Sequence, residues 1–250
     1  MRRAVLAFLV VPLAVAACGG KSSSSKSQDP LAAVKAAAAK TAAAGSEQLS
    51  LDATVATSGQ TISLKGNGGF DSKAHLGSMH ATLSVGSING VLEEVSKGTA
   101  VYVKSDLLSA VLPAGKTWIQ LDLAKLAKSQ GISSSLFSLD PSQALAQLQS
   151  LKNVTKVGTE QVGGVSTTHY KAAIDVAKLP SAAKASAGTY DVWIGDDGYV
   201  HRVRATITSK STTATVSTDL SGYGNKVTVA VPPASQVYDT HGASIPGLGG

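Results

Sequence analysis

At residues 49–55 (LSLDATV) apolar and polar side chains alternate without a break. The same period of two returns at 61–65 (TISLK), 79–85 (MHATLSV), 100–104 (AVYVK), 119–123 (IQLDL) and 170–176 (YKAAIDV). A strand sends successive side chains to opposite faces, so each run predicts a strand with one face in a core and the other in water. Residues 190–194 and 199–208 flank Gly195-Asp196-Asp197-Gly198 and predict a hairpin with turn chemistry at its tip. Further runs at 212–218 and 226–231 bring the expectation to about nine or ten strands. Short connections bearing Gly or Ser separate most of them, which predicts an antiparallel meander. A sheet this large with one apolar face must find a cover for that face.

Two helical stretches supply candidates. Asp29-Pro30 reads as an N-cap followed by a first-turn proline, and the Ala-rich run LAAVKAAAAKTAAA continues to Gly45, a natural C-terminal stop. Between residues 123 and 153 the period lengthens again. LAKLAKSQ runs to Gly131, and Asp140-Pro141 heads SQALAQLQSL, in which Ala144, Leu145, Leu148 and Leu151 fall on one stripe. A shorter helix is expected from Asp106 (DLLSAVL). The expected fold class is therefore α+β: a curved antiparallel half-barrel sheet whose concave apolar face is covered by helices.

The chain contains one cysteine, Cys18, so no intramolecular disulfide is possible. Ahead of it, Arg2 and Arg3 precede an apolar stretch from Ala4 to Ala17. That stretch is shorter than the ~20 residues of a membrane-spanning helix and has the length of a secretory h-region. Val15-Ala16-Ala17-Cys18 matches a lipobox, in which cleavage leaves the cysteine N-terminal and acylated. Each buried acyl methylene would add about 0.8 kcal/mol to membrane attachment. The expected organisation is a signal peptide over 1–17, lipidated Cys18 with a flexible Ser-rich tether to 28, a folded domain over 29–232 and a disordered tail over 233–250. The expected location is the extracytoplasmic face of the cell membrane, with the membrane itself as partner through Cys18.

Loss of Arg2 and Arg3 would bring the formal charge from +6 to +4, with no Lys/Arg cluster to mark a nucleic-acid face. Only Arg202 and Arg204 would remain as arginines, on one face of the hairpin. No G-x-S-x-G or H-E-x-x-H is present, and S-x-x-K at Ser23–Lys26 and Ser181–Lys184 lacks its usual companions. His75, His80, His169, His201 and His241 are scattered without metal-ligand spacing. His80, His169 and His201 alternate with apolar residues and are expected to face solvent; Trp118 and Trp193, out of phase with the apolar stripes of their strands, suit a solvent-side partner or membrane patch and packing under a helix equally. The chain is read as a non-enzyme without metal or cofactor.

Several stretches resemble a known family. The lipobox, the Ala-rich helix, Tyr102-Val103-Lys104 ahead of Lys116-Thr117-Trp118 and the Asp140-Pro141 helix come in its order. VGTEQVGGVSTTHYKAAIDVAKL (157–179), DVWIGDDGYVHRVRATI (191–207) and the closing VTVAVPP (227–233) carry the resemblance further. Together they look like the LppX/LprAFG-type actinobacterial lipoproteins, relatives of the LolA periplasmic lipoprotein carrier. The resemblance implies an apolar cavity between sheet and helices that takes a lipid or glycolipid, with binding or transfer of acylated molecules in the cell envelope. Carried onto this sequence, the lining would be Leu51, Val55, Ile62, Leu64, Met79, Leu83, Val85, Val101 and Val103 from strands, with Leu145 and Leu148 from the helical insertion. The residues alone serve equally for an ordinary aliphatic core. A filled core would suit an envelope adaptor or sensor that binds a protein partner instead.

Overall fold

The computed structural model describes residues 29–109, 111–122, 141–176 and 185–240. Cys18 with its tether, the expected LAKLAKSQ helix at 123–130 and the tail beyond residue 240 lie outside them.

Helix α1, Pro30–Ala44, begins as its sequence predicts. The Asp29 side chain accepts from the Leu31 amide at 3.1 Å, Pro30 occupies the first turn, and Gly45 ends the helix in the left-handed region at φ 81°. Its buried face is made of Ala33, Val34, Ala37, Ala38 and Thr41, small enough for the backbone to come close to its neighbours. Thr41 fixes that approach: its hydroxyl donates to the Ala37 carbonyl at 2.8 Å and accepts from the Val200 amide at 2.9 Å.

Twelve strands follow: β1 Ser46–Thr57, β2 Thr61–Asp71, β3 Leu76–Val85, β4 Ile88–Lys97, β5 Ala100–Ser105, β6 Trp118–Asp122, β7 Thr155–Val162, β8 Val165–Ala173, β9 Ala187–Gly195, β10 Val200–Thr208, β11 Thr212–Ser221 and β12 Val237–Asp239. A second helix, α2, spans Pro141–Gln149 between β6 and β7. All strands belong to one sheet in the order β12-β6-β5-β4-β3-β2-β1-β11-β10-β9-β8-β7. β1 is the keystone, pairing β2 along one edge and β11 along the other, so two meanders are joined back to back. The sheet curves but does not close. It is more β-rich than the α+β expectation, because β4 and β7 add two strands and the helix expected from Asp106 is a single 3-10 turn.

Four expectations are corrected here. Strands β4 and β7 were not anticipated. Residues 226–231, expected as a strand, join no ladder among the described residues and run as an irregular segment. The helix expected from Asp106 is a single 3-10 turn, Asp106–Leu108, capped by the Ser105 side chain on the Leu107 amide. The tail is also ordered past its expected start. Residues 234–236 make a 3-10 turn, and β12 then adds to β6 in parallel, Tyr238 opposite Ile119. The Thr117 amide donates to the Gln236 carbonyl at 3.0 Å, and the Thr240 hydroxyl to the Gln120 carbonyl at 3.1 Å. The outer edge of β6 offers unpaired backbone groups, and this segment satisfies them.

The main core lies on one face of the sheet. Val34, Ala37 and Ala38 of α1 and Leu145, Leu148 and Leu151 at α2 pack with Leu49, Phe70, Met79, Val192, Val200 and Leu220 from the strands. Tyr190 ties α2 to the sheet by donating its hydroxyl to the Gln147 side-chain oxygen. Gly77 opposes Phe70 in the ladder, and a Cβ there would sit 2.4 Å from the Phe70 ring, so glycine lets the aromatic lie flat over it.

Candidate functional site

Strand register decides which residues share a face. Leu51 stands opposite Gly66, Val55 opposite Ile62, Leu64 opposite Leu83, Ile62 opposite Val85, and Gly68 opposite Met79. Met79 is paired with Glu94, Glu94 with Val103, and Ser96 with Val101. All nine strand residues expected to line a cavity therefore occupy the same face, the one that α1 and α2 pack against.

That face has two parts. Met79, Leu145 and Leu148 lie inside the packed core, Leu148 with no exposure at all, and Leu51 and Leu64 pack at its border. Val101 is buried outside that cluster. Val55, Leu83, Val85 and Val103 are half-buried. Ile62 is 38% exposed and Ile88 58%, near the ends of their strands, and Val216, mid-strand in β11 on the same face, is 43% exposed. Among the described residues the predicted lining thus shares one surface, about half of it packed in the core and half in a half-buried to exposed apolar rim. Leu107 folds over this surface at Gly90, where a Cβ would meet its Cγ at 2.5 Å.

One lining residue escaped the sequence reading. Glu94 projects from β4 between Met79 and Val103, and its Oε1 is buried without a hydrogen-bond partner; the buried Ser96 hydroxyl, one repeat along the same strand, is unpartnered too. Burial pushes the Glu94 carboxyl up from 4.5 to about 8. The signal that would have found it is β4 itself: INGVLEEVSK places apolar residues on both faces, so no alternation reveals which way Glu94 points.

The opposite face carries a polar ladder across β7 to β11. His169 lies 2.8 Å through Nδ1 from Glu160 and 2.8 Å through Nε2 from Asp191. Its ring stacks on Trp193 at 4.3 Å, with Arg202 and Arg204 at 5.7 and 5.3 Å from the same indole. Trp193 donates Nε1–H to Glu160 at 3.0 Å, and this bond first, with His169 and Arg204 adding to it, holds the Glu160 carboxyl below its usual range. Arg202 grips Asp219 with bonds of 2.5 and 2.6 Å. Both His169 and Trp193 are buried, for His169 against the expectation of solvent exposure, because neighbouring long side chains lie across them. His201 is likewise buried, 3.1 Å from the Asp197 carboxylate. A cleft of about 520 Å³ opens on this side too, lined mainly by polar residues such as Gln48, Ser50, Asn67, Asp219 and Lys226. It includes none of the residues expected to line a cavity, and its polar walls are unsuited to acyl chains.

Residues 29–229 match the model of the LppX_LprAFG lipoprotein family. The chain belongs to this family. Its matched span starts at the Asp29 cap of α1 and ends ahead of β12. A family relative in sequence is an uncharacterised 31.2 kDa protein from the rplA-rplJ intergenic region of Streptomyces griseus, 26% identical over 245 residues, covering 84% of this chain and 79% of that one. Among solved structures, the lipoprotein LppX of Mycobacterium tuberculosis superposes with a TM-score of 0.52 at 20% identity, covering 80% of this chain and 97% of LppX. LprF of Mycobacterium bovis gives 0.50 at 14% identity, covering 81% and 96%. At these identities the likeness is one of fold.

Proposed function

We propose that this LppX_LprAFG lipoprotein binds or transfers lipids or other acylated molecules in the cell envelope, held to the membrane by acyl chains on Cys18. The ligand would lie on the concave, helix-bearing face. The observation that carries this reading is the shared register of Val55, Ile62, Leu83 and Val85, which with Ile88 and Val216 form an apolar surface on which Ile62, Ile88 and Val216 stay exposed. An aliphatic surface of this kind gains about 25 cal/mol for every Å² an acyl chain covers. No directed chemistry is needed: the chain enters by burying surface and leaves when a second apolar surface competes for it.

The test is native mass spectrometry of residues 29–250 secreted from an actinobacterial host, followed by organic extraction. A discrete mass excess, removed by solvent and identified as lipid, is the expected result. A protein that stays at its own mass after incubation with envelope lipids would sink the carrier reading. It would turn attention to an adaptor that binds another protein.

A further inference from the structure

Resting on the carrier reading above, we infer that Glu94 and Ser96 form a polar anchor inside the apolar face, hydrogen-bonding an uncharged hydroxyl or ester oxygen of the bound lipid. The placement is specific. On β2 through β6 the residues sharing this face are Gly, Ala, Ser, Phe, Met or aliphatic, with Glu94 as the one ionisable exception among the described positions. Its nearest cross-strand neighbours are Met79 and Val103, and those of Ser96 are Gly77 and Val101. None of these can accept or donate through a side chain, which is why the Glu94 Oε1 and Ser96 Oγ are buried without partners.

Buried polar atoms are nearly always satisfied, so two orphans side by side on an otherwise apolar surface need an external partner. The class of partner follows from chemistry. With its carboxyl pushed up to about 8, Glu94 is protonated at neutral pH and offers a donor, which an ester oxygen can accept, and an acceptor, to which a hydroxyl can donate. A phosphate would find no cation on these strands' side of the face. A carboxylic acid gives a cationic headgroup no countercharge. Depth narrows the choice further. The atoms without partners, Glu94 Oε1 and Ser96 Oγ, are the buried ones, and Glu94 lies six residues along β4 from the exposed Ile88, about 20 Å at the rise of a strand, so the matching group lies among the chains. A diglyceride-like linkage meets these demands; a plain hydrocarbon does not.

The experiment compares full-length wild type, Glu94→Leu and Glu94→Gln in one detergent. Equilibrium binding of radiolabelled 1,2-dioleoylglycerol and radiolabelled octadecane is read as the ratio of the two. Glu94→Leu is expected to lower diglyceride binding about tenfold while alkane binding holds, and Glu94→Gln, which keeps a donor and an acceptor, to stay within about threefold. If Glu94→Leu binds diglyceride as wild type does, the anchor is refuted and the carrier reading stands. If wild type takes up neither probe, both fall. Circular dichroism confirms folding of each variant; should Glu94→Leu not fold, Ser96→Ala replaces it, with a fall of about threefold expected and an unchanged ratio refuting the anchor.

Discussion

A carboxyl kept in an apolar surface makes folding stability depend on pH in a direction opposite to that of an ion-paired carboxylate. Glu94 titrates near 4.5 in the unfolded chain and about 8 in the folded one. Below pH 4.5 both states hold the proton and the group has no effect on the slope. Between 4.5 and 8 the unfolded chain has released the proton while the folded chain keeps it, so unfolding gains ground as pH rises. Each pH unit in this window costs about 1.4 kcal/mol, which comes to about 3 kcal/mol by pH 7 and between about 4 and 5 kcal/mol by pH 8. Above 8 the loss is complete and the curve flattens. In a domain of this size about 3 kcal/mol corresponds to a midpoint change on the order of 6–12 °C. Thermal unfolding followed by circular dichroism at pH 5, 6, 7 and 8, at fixed ionic strength, measures this when wild type is compared with Glu94→Gln. The difference between the two cancels every other titrating group. Its expected form is a gain for the variant that grows steadily from pH 5 to 8. A difference that is flat across the range would mean that water reaches the carboxyl, and the argument from burial would be wrong.

Three further outcomes are expected. Leu148→Ala empties a site with no exposure between α2 and the sheet and should destabilise the domain by about 2–5 kcal/mol, read from denaturant midpoints. Leu83→Trp enlarges a half-buried residue on the open part of the face; by covering about 50 Å² of apolar surface it should weaken lipid uptake about tenfold with little change in the melting temperature. Cys18→Ser should move the protein from the membrane fraction to the medium or leave it unprocessed, whereas acyl-chain labelling at another residue would refute the anchor site.

What was legible in the sequence follows from how sheets are built. The strands with one wet face, β1 to β3 and β5, announced themselves by alternation, and alternation also assigned their inward residues to one face. β4 was not legible because Ile88 and Leu92 point one way while Val91 and Val95 point the other. β7 was missed because it is an edge strand, exposed along most of its length, with Val157 55% exposed and no core to impose a pattern. His169 was misplaced for a related reason. Alternation told correctly which face it is on, but not that its ring stacks on Trp193 with Arg202 and Arg204 lying across that indole. The candidate site was legible as a stripe of aliphatic residues. The division of that stripe into packed core and exposed rim depends on which of its residues α1 and α2 pack against, and only tertiary structure specifies that.

The three residues of β12 bear on where this protein can be cut. The family match ends at residue 229, yet the β6 edge is completed by residues 237–239. A chain ended at the family boundary would keep every helix and the eleven longer strands, but Trp118 through Gln120 would present bare backbone groups beside the buried Ile119. Such an edge recruits whatever strand it meets, most readily the same edge of a second copy. The shortened protein should therefore pair or precipitate with rising concentration while the longer one remains single, making β12 a guard against self-association.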